Sequence, residues 1–188
     1  MSHQDFVSSL LPVAQQYEQQ TGIPAAAFIA IAASESNWGA AGGNELFGIK
    51  GSGLIASTWE QVSGQSVPTV ASFQTYSSPE AAFESFVSLV SGGRYQSAWT
   101  AFQNSGDWRQ FLRDINAAGY ATDPSWAVKI ISLAENTIQP MIGGSLGAAP
   151  LAGGSGSGSG INGGTGFPSK GAVALGIGLL AIIWLIGD

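Results

Sequence analysis

The feature that most limits how this chain can fold is a break in composition just after residue 142. Residues 143–169 are mostly Gly, Ser and Ala and include the run GGSGSGSGINGG. Such a stretch has almost nothing to bury and behaves as a coil, with a root-mean-square reach of about 30 Å between Pro140 and Pro168. Beyond it, residues 171–187 (GAVALGIGLLAIIWLIG) hold no charge and no proline, follow Lys170 and include Trp184. As a helix this run reaches about 26 Å, the short end of a membrane span. A buried core helix would need partner segments, and none follow the linker. The expected organisation is therefore a folded domain over 1–140, a linker over 141–169 and a transmembrane anchor over 170–188. Ala172/Gly176 and Ala174/Gly178 form small-xxx-small pairs suited to a helix–helix partner in the membrane. At the other end, the short apolar run after Asp5 has no basic flank, so no signal peptide is expected.

Charge and residue counts narrow the chemistry. The net charge is -6 with only six Lys and Arg, which gives no electrostatic footprint for a nucleic-acid backbone. There is no cysteine, hence no disulfide, thiolate metal site or cysteine nucleophile. The one histidine, His3, sits near an end expected to fray, so neither a Ser-His-Asp triad nor a multi-histidine metal site is available. No metal or cofactor is expected. Hydrolytic chemistry would rest on aromatics and on the twelve Asp and Glu.

Periodicity and punctuation give a mainly helical domain with one β region. A first helix runs from about Asp5 to Gln20, with Pro12 either kinking it or opening its second half, and Thr21-Gly22 ending it. Pro24 opens a second, AAAFIAIAASES, closing at or before Gly39. Ser78-Pro79-Glu80 caps a third with Phe83, Phe86, Val87 and Val90 as its apolar stripe. Asp107 caps a fourth with Phe111, Leu112 and Ile115 inward, stopped by Gly119. Asp123-Pro124 opens a fifth, carrying Trp126, Ile130, Ile131 and Leu133 and ending by Pro140. Residues 54–62 and 67–76 are rich in β-branched and aromatic side chains around Ser63-Gly64-Gln65, the pattern of a β-hairpin. Asp107 and Asp123 suit capping better than catalysis.

Within this scheme Glu35 is out of place. It lies four residues after Ile31 and seven after Phe28, on the face those residues bury, at the end of an otherwise uncharged helix. A solvated last-turn Glu would face the negative end of the helix dipole. A carboxyl in a partly apolar setting instead holds its proton toward neutral pH, which is what cleavage of a glycosidic bond asks of its acid.

Several blocks carry a resemblance. Ser34-Glu35-Ser36-Asn37-Trp38-Gly39 closes the second helix, and Gly43-Asn44-Glu45-Leu46-Phe47-Gly48-Ile49-Lys50-Gly51 follows. Then come Thr58-Trp59-Glu60, Phe73 to Glu80 (FQTYSSPE) and Ala118 to Pro124 (AGYATDP). Over most of residues 10–138 these resemble, in order, the glucosaminidase domain of glycoside hydrolase family 73. That family occurs in flagellar rod-cap muramidases, bacterial autolysins and phage lysins. The resemblance implies a lysozyme-like α+β fold and cleavage of the β-1,4 link on the N-acetylglucosamine side of peptidoglycan. Glu35 matches the family's catalytic acid, Glu60 resembles the second carboxylate on its β-lobe, and Tyr120 matches the tyrosine lining the cleft near the acid. Trp38, Asn44, Phe47 and Tyr76 are the candidate substrate-binding residues, although Trp38, Phe47 and Tyr76 also suit a core, Trp38 and Phe47 equally so. The sequence departs from the family at Ser34, at Asn37 and at Glu45, which stands where an Asn is usual and brings another carboxylate toward the cleft.

Two mechanisms fit: Glu35 as acid with Glu60 activating water, or attack by the substrate's 2-acetamido group with Glu35 acting alone. A lytic transglycosylase on the same fold, and a catalytically silent wall-binding protein, are the rival functions. A tail anchor without a signal peptide points to the internal membrane of a phage virion, or otherwise to a bacterial cell membrane.

Overall fold

A computed structural model describes residues 1–143 apart from 41, 43, 52, 63 and 64, and apart from the side chains of 54–62, 66 and 69. The expected anchor over 170–188 and most of the linker lie outside these residues. Among the described residues no helix is long and apolar enough to cross a membrane.

Helix α1 spans His3–Thr21 and begins earlier than its apolar pattern suggests. A capping box sets its start: Ser2 Oγ accepts from Asp5 N while Asp5 Oδ2 accepts from the Ser2 backbone. Pro12 lies inside one uninterrupted helix, and Gly22 closes it in the left-handed region at φ 82°. His3 is not frayed; its ring stacks on Trp38 with centroids 3.7 Å apart.

Helix α2, Ala25–Glu35, is the hub, and Ala25 through Ala33 are all buried. A helix apolar all round must sit inside its domain. Its alanines let α1, α6 and the turn after α6 pack closely against it. The helix stops at Glu35 because the buried Ser36 hydroxyl turns back onto Ala32 O at 2.6 Å and takes the Gly39 N–H at 2.8 Å. The chain then leaves through Asn37 and Trp38, both at positive φ.

Strands β1 (Gly53–Val62) and β2 (Gln65–Gln74) form the expected antiparallel hairpin, with Glu60 opposite Val67. Its base is tied to the preceding segment by Gln74 N–H to Ile49 O at 2.8 Å and Gly51 N–H to Ser72 O at 3.0 Å. Helix α3 (Pro79–Val90) is capped by Ser78 and buries Phe83, Phe86 and Val90. Helix α4 (Gln96–Ser105) has no counterpart in the sequence reading, though Trp99 and Phe102 sit at helical spacing and Gly106 ends it in the left-handed region. Helix α5 (Trp108–Ala117) is capped by Asp107, which accepts from Arg109 N and Gln110 N, and it buries Phe111, Leu112 and Ile115.

Helix α6 (Trp126–Leu133) follows Asp123, whose carboxylate accepts from Ser125 and Lys129. The helical path does not end by Pro140. A π-helical turn over Ala134–Ile138 resets the hydrogen bonding, so that Pro140 falls in the first turn of α7 (Gln139–Ile142), where its missing N–H costs nothing.

Candidate active site

The site forms where the end of α2, the segment 44–48, the start of α6 and the loop after α5 meet. Glu35 Oε1 accepts a 2.7 Å hydrogen bond from the indole Nε1 of Trp126, which lies 91 residues further along the chain. Its other oxygen, Oε2, faces Gly48. A methyl group on Gly48 would fall well inside contact distance of Oε2, and Gly48 itself has φ 60°. Only glycine lets the backbone pass this close. Glu35 keeps some exposed surface as a residue, but protein atoms crowd its carboxyl. That desolvation raises its pKa above the ordinary glutamate value, against the Trp126 hydrogen bond, which favours the ionised form.

Tyr120 stands beside the acid. Its hydroxyl donates to Phe47 O at 2.7 Å, and its ring lies 4.9 Å from that of Trp126 and 5.9 Å from that of Phe86. Burial holds the phenol well above its usual pKa, and the Glu35 charge adds to this, so Tyr120 is a neutral hydrogen-bonding group. Asn44, at φ 53°, donates from Nδ2 to Tyr76 O at 3.2 Å, and Tyr76 shares a 2.8 Å hydrogen bond with Ser85. Glu45 follows, only 5% exposed. Its carboxyl is pushed up to about 7, first by burial and second by the charge of Glu35.

Thus Glu35, Glu45, Tyr76 and Tyr120 share one neighbourhood, with Asn44 fastening its edge. Two candidate substrate contacts have side chains engaged in packing. Phe47 is 1% exposed, stacked on Phe86 at 4.6 Å and edge-on to Phe83, so its side chain belongs to the core and only its carbonyl serves the site. Trp38 is pinned between His3 and Phe6 at the start of α1. Glu60 is on β1 toward the hairpin tip, and its side chain lies outside the described residues. Trp126 and Gly48 are the contacts that sequence reasoning missed. A buried indole seeks a partner for its N–H, but nothing in the sequence says which one.

A desolvated carboxyl at a helix end, beside a neutral tyrosine, in a mainly helical domain that carries a two-stranded lobe, is the equipment of a glycoside hydrolase of the lysozyme-like class. Residues 11–139 match the glucosaminidase family described as mannosyl-glycoprotein endo-beta-N-acetylglucosaminidase. The chain belongs to that family. It is 34% identical over 165 residues to the peptidoglycan hydrolase FlgJ of Pseudomonas aeruginosa PAO1, covering 80% of this chain and 40% of the relative. It is 32% identical over 142 residues to the Escherichia coli K12 protein of the same name, covering 68% and 44%. The chain therefore spans less than half the length of these relatives. Among solved structures, a peptidoglycan hydrolase mutant from Sphingomonas sp. A1 superimposes with TM-score 0.64 at 32% identity, covering 74% of this chain and 97% of that one. The C-terminally truncated glycoside hydrolase domain of Salmonella typhimurium FlgJ does so with TM-score 0.51 at 30% identity, covering 71% and 96%. The mainly helical, lysozyme-like α+β domain expected from the sequence is the fold these proteins share.

Proposed function

We propose that the chain is a peptidoglycan hydrolase that cuts the β-1,4 glycosidic bond on the N-acetylglucosamine side of the wall glycan. The observation that carries this is the Glu35 carboxyl, desolvated, oriented by Trp126 and passed closely by Gly48. The similarity to proteins named peptidoglycan hydrolases supports the choice of substrate.

In the proposed reaction Glu35 gives its proton to the glycosidic oxygen as the bond from that oxygen to C1 breaks. Glu60, as base, removes a proton from a water molecule, whose oxygen bonds to C1 from the opposite face and inverts it. In a substrate-assisted variant the 2-acetamido oxygen closes onto C1 first, and water then opens the ring it forms. Tyr120 supports the sugar as a neutral hydrogen-bonding group, and Asn44 and Tyr76 extend the cleft.

Mass spectrometry of fragments released from purified peptidoglycan tests the reading. Reducing N-acetylglucosamine ends support it. A 1,6-anhydro product would make the protein a lytic transglycosylase, and binding without release would make it a wall-binding protein. We further propose that residues 170–188 anchor the enzyme in a membrane, that of a phage virion carrying it to a new host or otherwise that of a bacterial cell. The uncharged run and the coil before it support the anchor. Purified virions lacking the protein would remove the virion from the account.

A further inference from the structure

Glu45 is the acidic group that the proposed mechanism leaves without a task, and its position is unusual. It is one of only three buried polar or charged residues among those described, beside Thr21 and Ser36, whose hydroxyls are hydrogen-bonded. Among the described residues no group donates a hydrogen bond to its carboxyl. Burying a carboxylate in this way is costly unless it keeps its proton.

The backbone holds it there deliberately. Asn44 adopts the left-handed conformation and is fastened through its side chain to Tyr76 O, while Glu45 N–H bonds Gly42 O at 3.3 Å. Leu46 and Phe47 are anchored in the core at 5% and 1% exposure. Gly48 then lies against Glu35 Oε2. The segment 44–48 thus runs from Tyr76 at one end to the acid at the other, and Glu45 is carried between them.

We propose that Glu45 is the proton partner of Glu35, a positioning residue whose carboxyl lets the pair retain one proton and so keeps the acid loaded toward neutral pH. This deepens the glycosidase reading and rests on it. Among the described residues, the ionisable groups coupled to the pair are Tyr76, which feels the charge of Glu45, and Tyr120, which feels that of Glu35 and of Tyr76 and Tyr95. All are phenols held above their usual pKa, so in the neutral range they stay uncharged and the two carboxyls titrate chiefly against each other. Burial raises both, and the charge of Glu35 raises Glu45 further; since the repulsion between two like charges is mutual, it couples the two titrations.

The test uses the full chain with 13C-labelled glutamate carboxyls, assigned with Glu35→Gln and Glu45→Gln. In Glu45→Gln the Glu35 carboxyl should lose its proton at lower pH than in the parent, and Glu45→Asp should return it toward the parent. On purified peptidoglycan the basic limb should move the same way, lowering turnover at about pH 7.5 relative to about pH 5 by about three- to tenfold. A Glu35 titration unmoved in a folded Glu45→Gln protein overturns the pairing. Should that variant not fold, the parent decides alone: two inflections in each carboxyl resonance support the pair, and one independent inflection in each overturns it. If the resonance moves but the parent cleaves no glycan, the function falls and the pairing stands. If the parent cleaves but neither limb nor resonance moves, the pairing falls and the function stands.

Discussion

Gly48 and Trp126 hold Glu35 from two sides, and each makes a different prediction. Gly48→Ala places a methyl group against Glu35 Oε2 at a left-handed position, so the carboxyl must move. Displacing a catalytic group by about 1 Å costs about a hundredfold, so kcat on wall fragments should drop by that order. Parent-like turnover in a folded Gly48→Ala protein would show that the carboxyl position is not critical. Trp126→Phe keeps an aromatic ring but deletes the N–H that favours ionised Glu35. Without that donor the acid holds its proton to higher pH, so the basic limb of the rate profile should move upward. A limb that stays put, or moves down, contradicts the assigned hydrogen bond.

At the scale of elements, the caps are the most direct test of how the helices were placed. Asp107→Ala leaves the Arg109 and Gln110 amides without their acceptor, and should cost about 1 kcal/mol in denaturant unfolding with turnover nearly intact. A much larger loss of turnover would tie α5 to the chemistry. Those caps were legible because Asp, Ser and Pro at a helix start act locally. So was α2 as a helix opened by Pro24, although its burial on every side came only from the structure. The α4 helix escaped because its ten residues carry just two large apolar groups, Trp99 and Phe102, at one spacing. The path through Pro140 escaped because a π-helical turn leaves no mark in composition. At the site, Glu35 and Tyr120 were legible through their motifs. Their partners were not: the Trp126 contact spans 91 residues, and the service of Phe47 is a backbone carbonyl, which no residue type announces.

For the whole molecule, the raised carboxyls set a pH dependence of stability. Glu45 goes from an ordinary value of 4.5 to about 7 in the fold, so its contribution is full below about 4.5 and is lost as pH rises through about 7. Glu35 acts in the same direction. Asp123 is opposite: it falls from 3.8 to about 2, and its contribution disappears as pH drops through that lower range. The melting temperature should therefore peak in mild acid and decline toward neutrality, and Glu45→Gln should flatten the decline. Parallel curves for parent and variant between about pH 5 and 8 would contradict this. The family match ends at residue 139, and Ile138 is the last fully buried apolar residue among those described. Removing residues 168–188 should leave turnover unchanged while abolishing partition into detergent. A truncated protein that melts well below its parent would place the tail in the core and remove the anchor.

The central claim is that one carboxyl, Glu35, supplies the proton that breaks the glycan. The measurement closest to it is the turnover of Glu35→Gln on purified peptidoglycan, with circular dichroism and melting followed on the same sample. The amide keeps the shape and can still accept from Trp126, so the fold should persist. Having no proton to give, the variant should lose at least about two powers of ten in rate. Turnover within about tenfold of the parent would contradict the account and take the acid's role from Glu35.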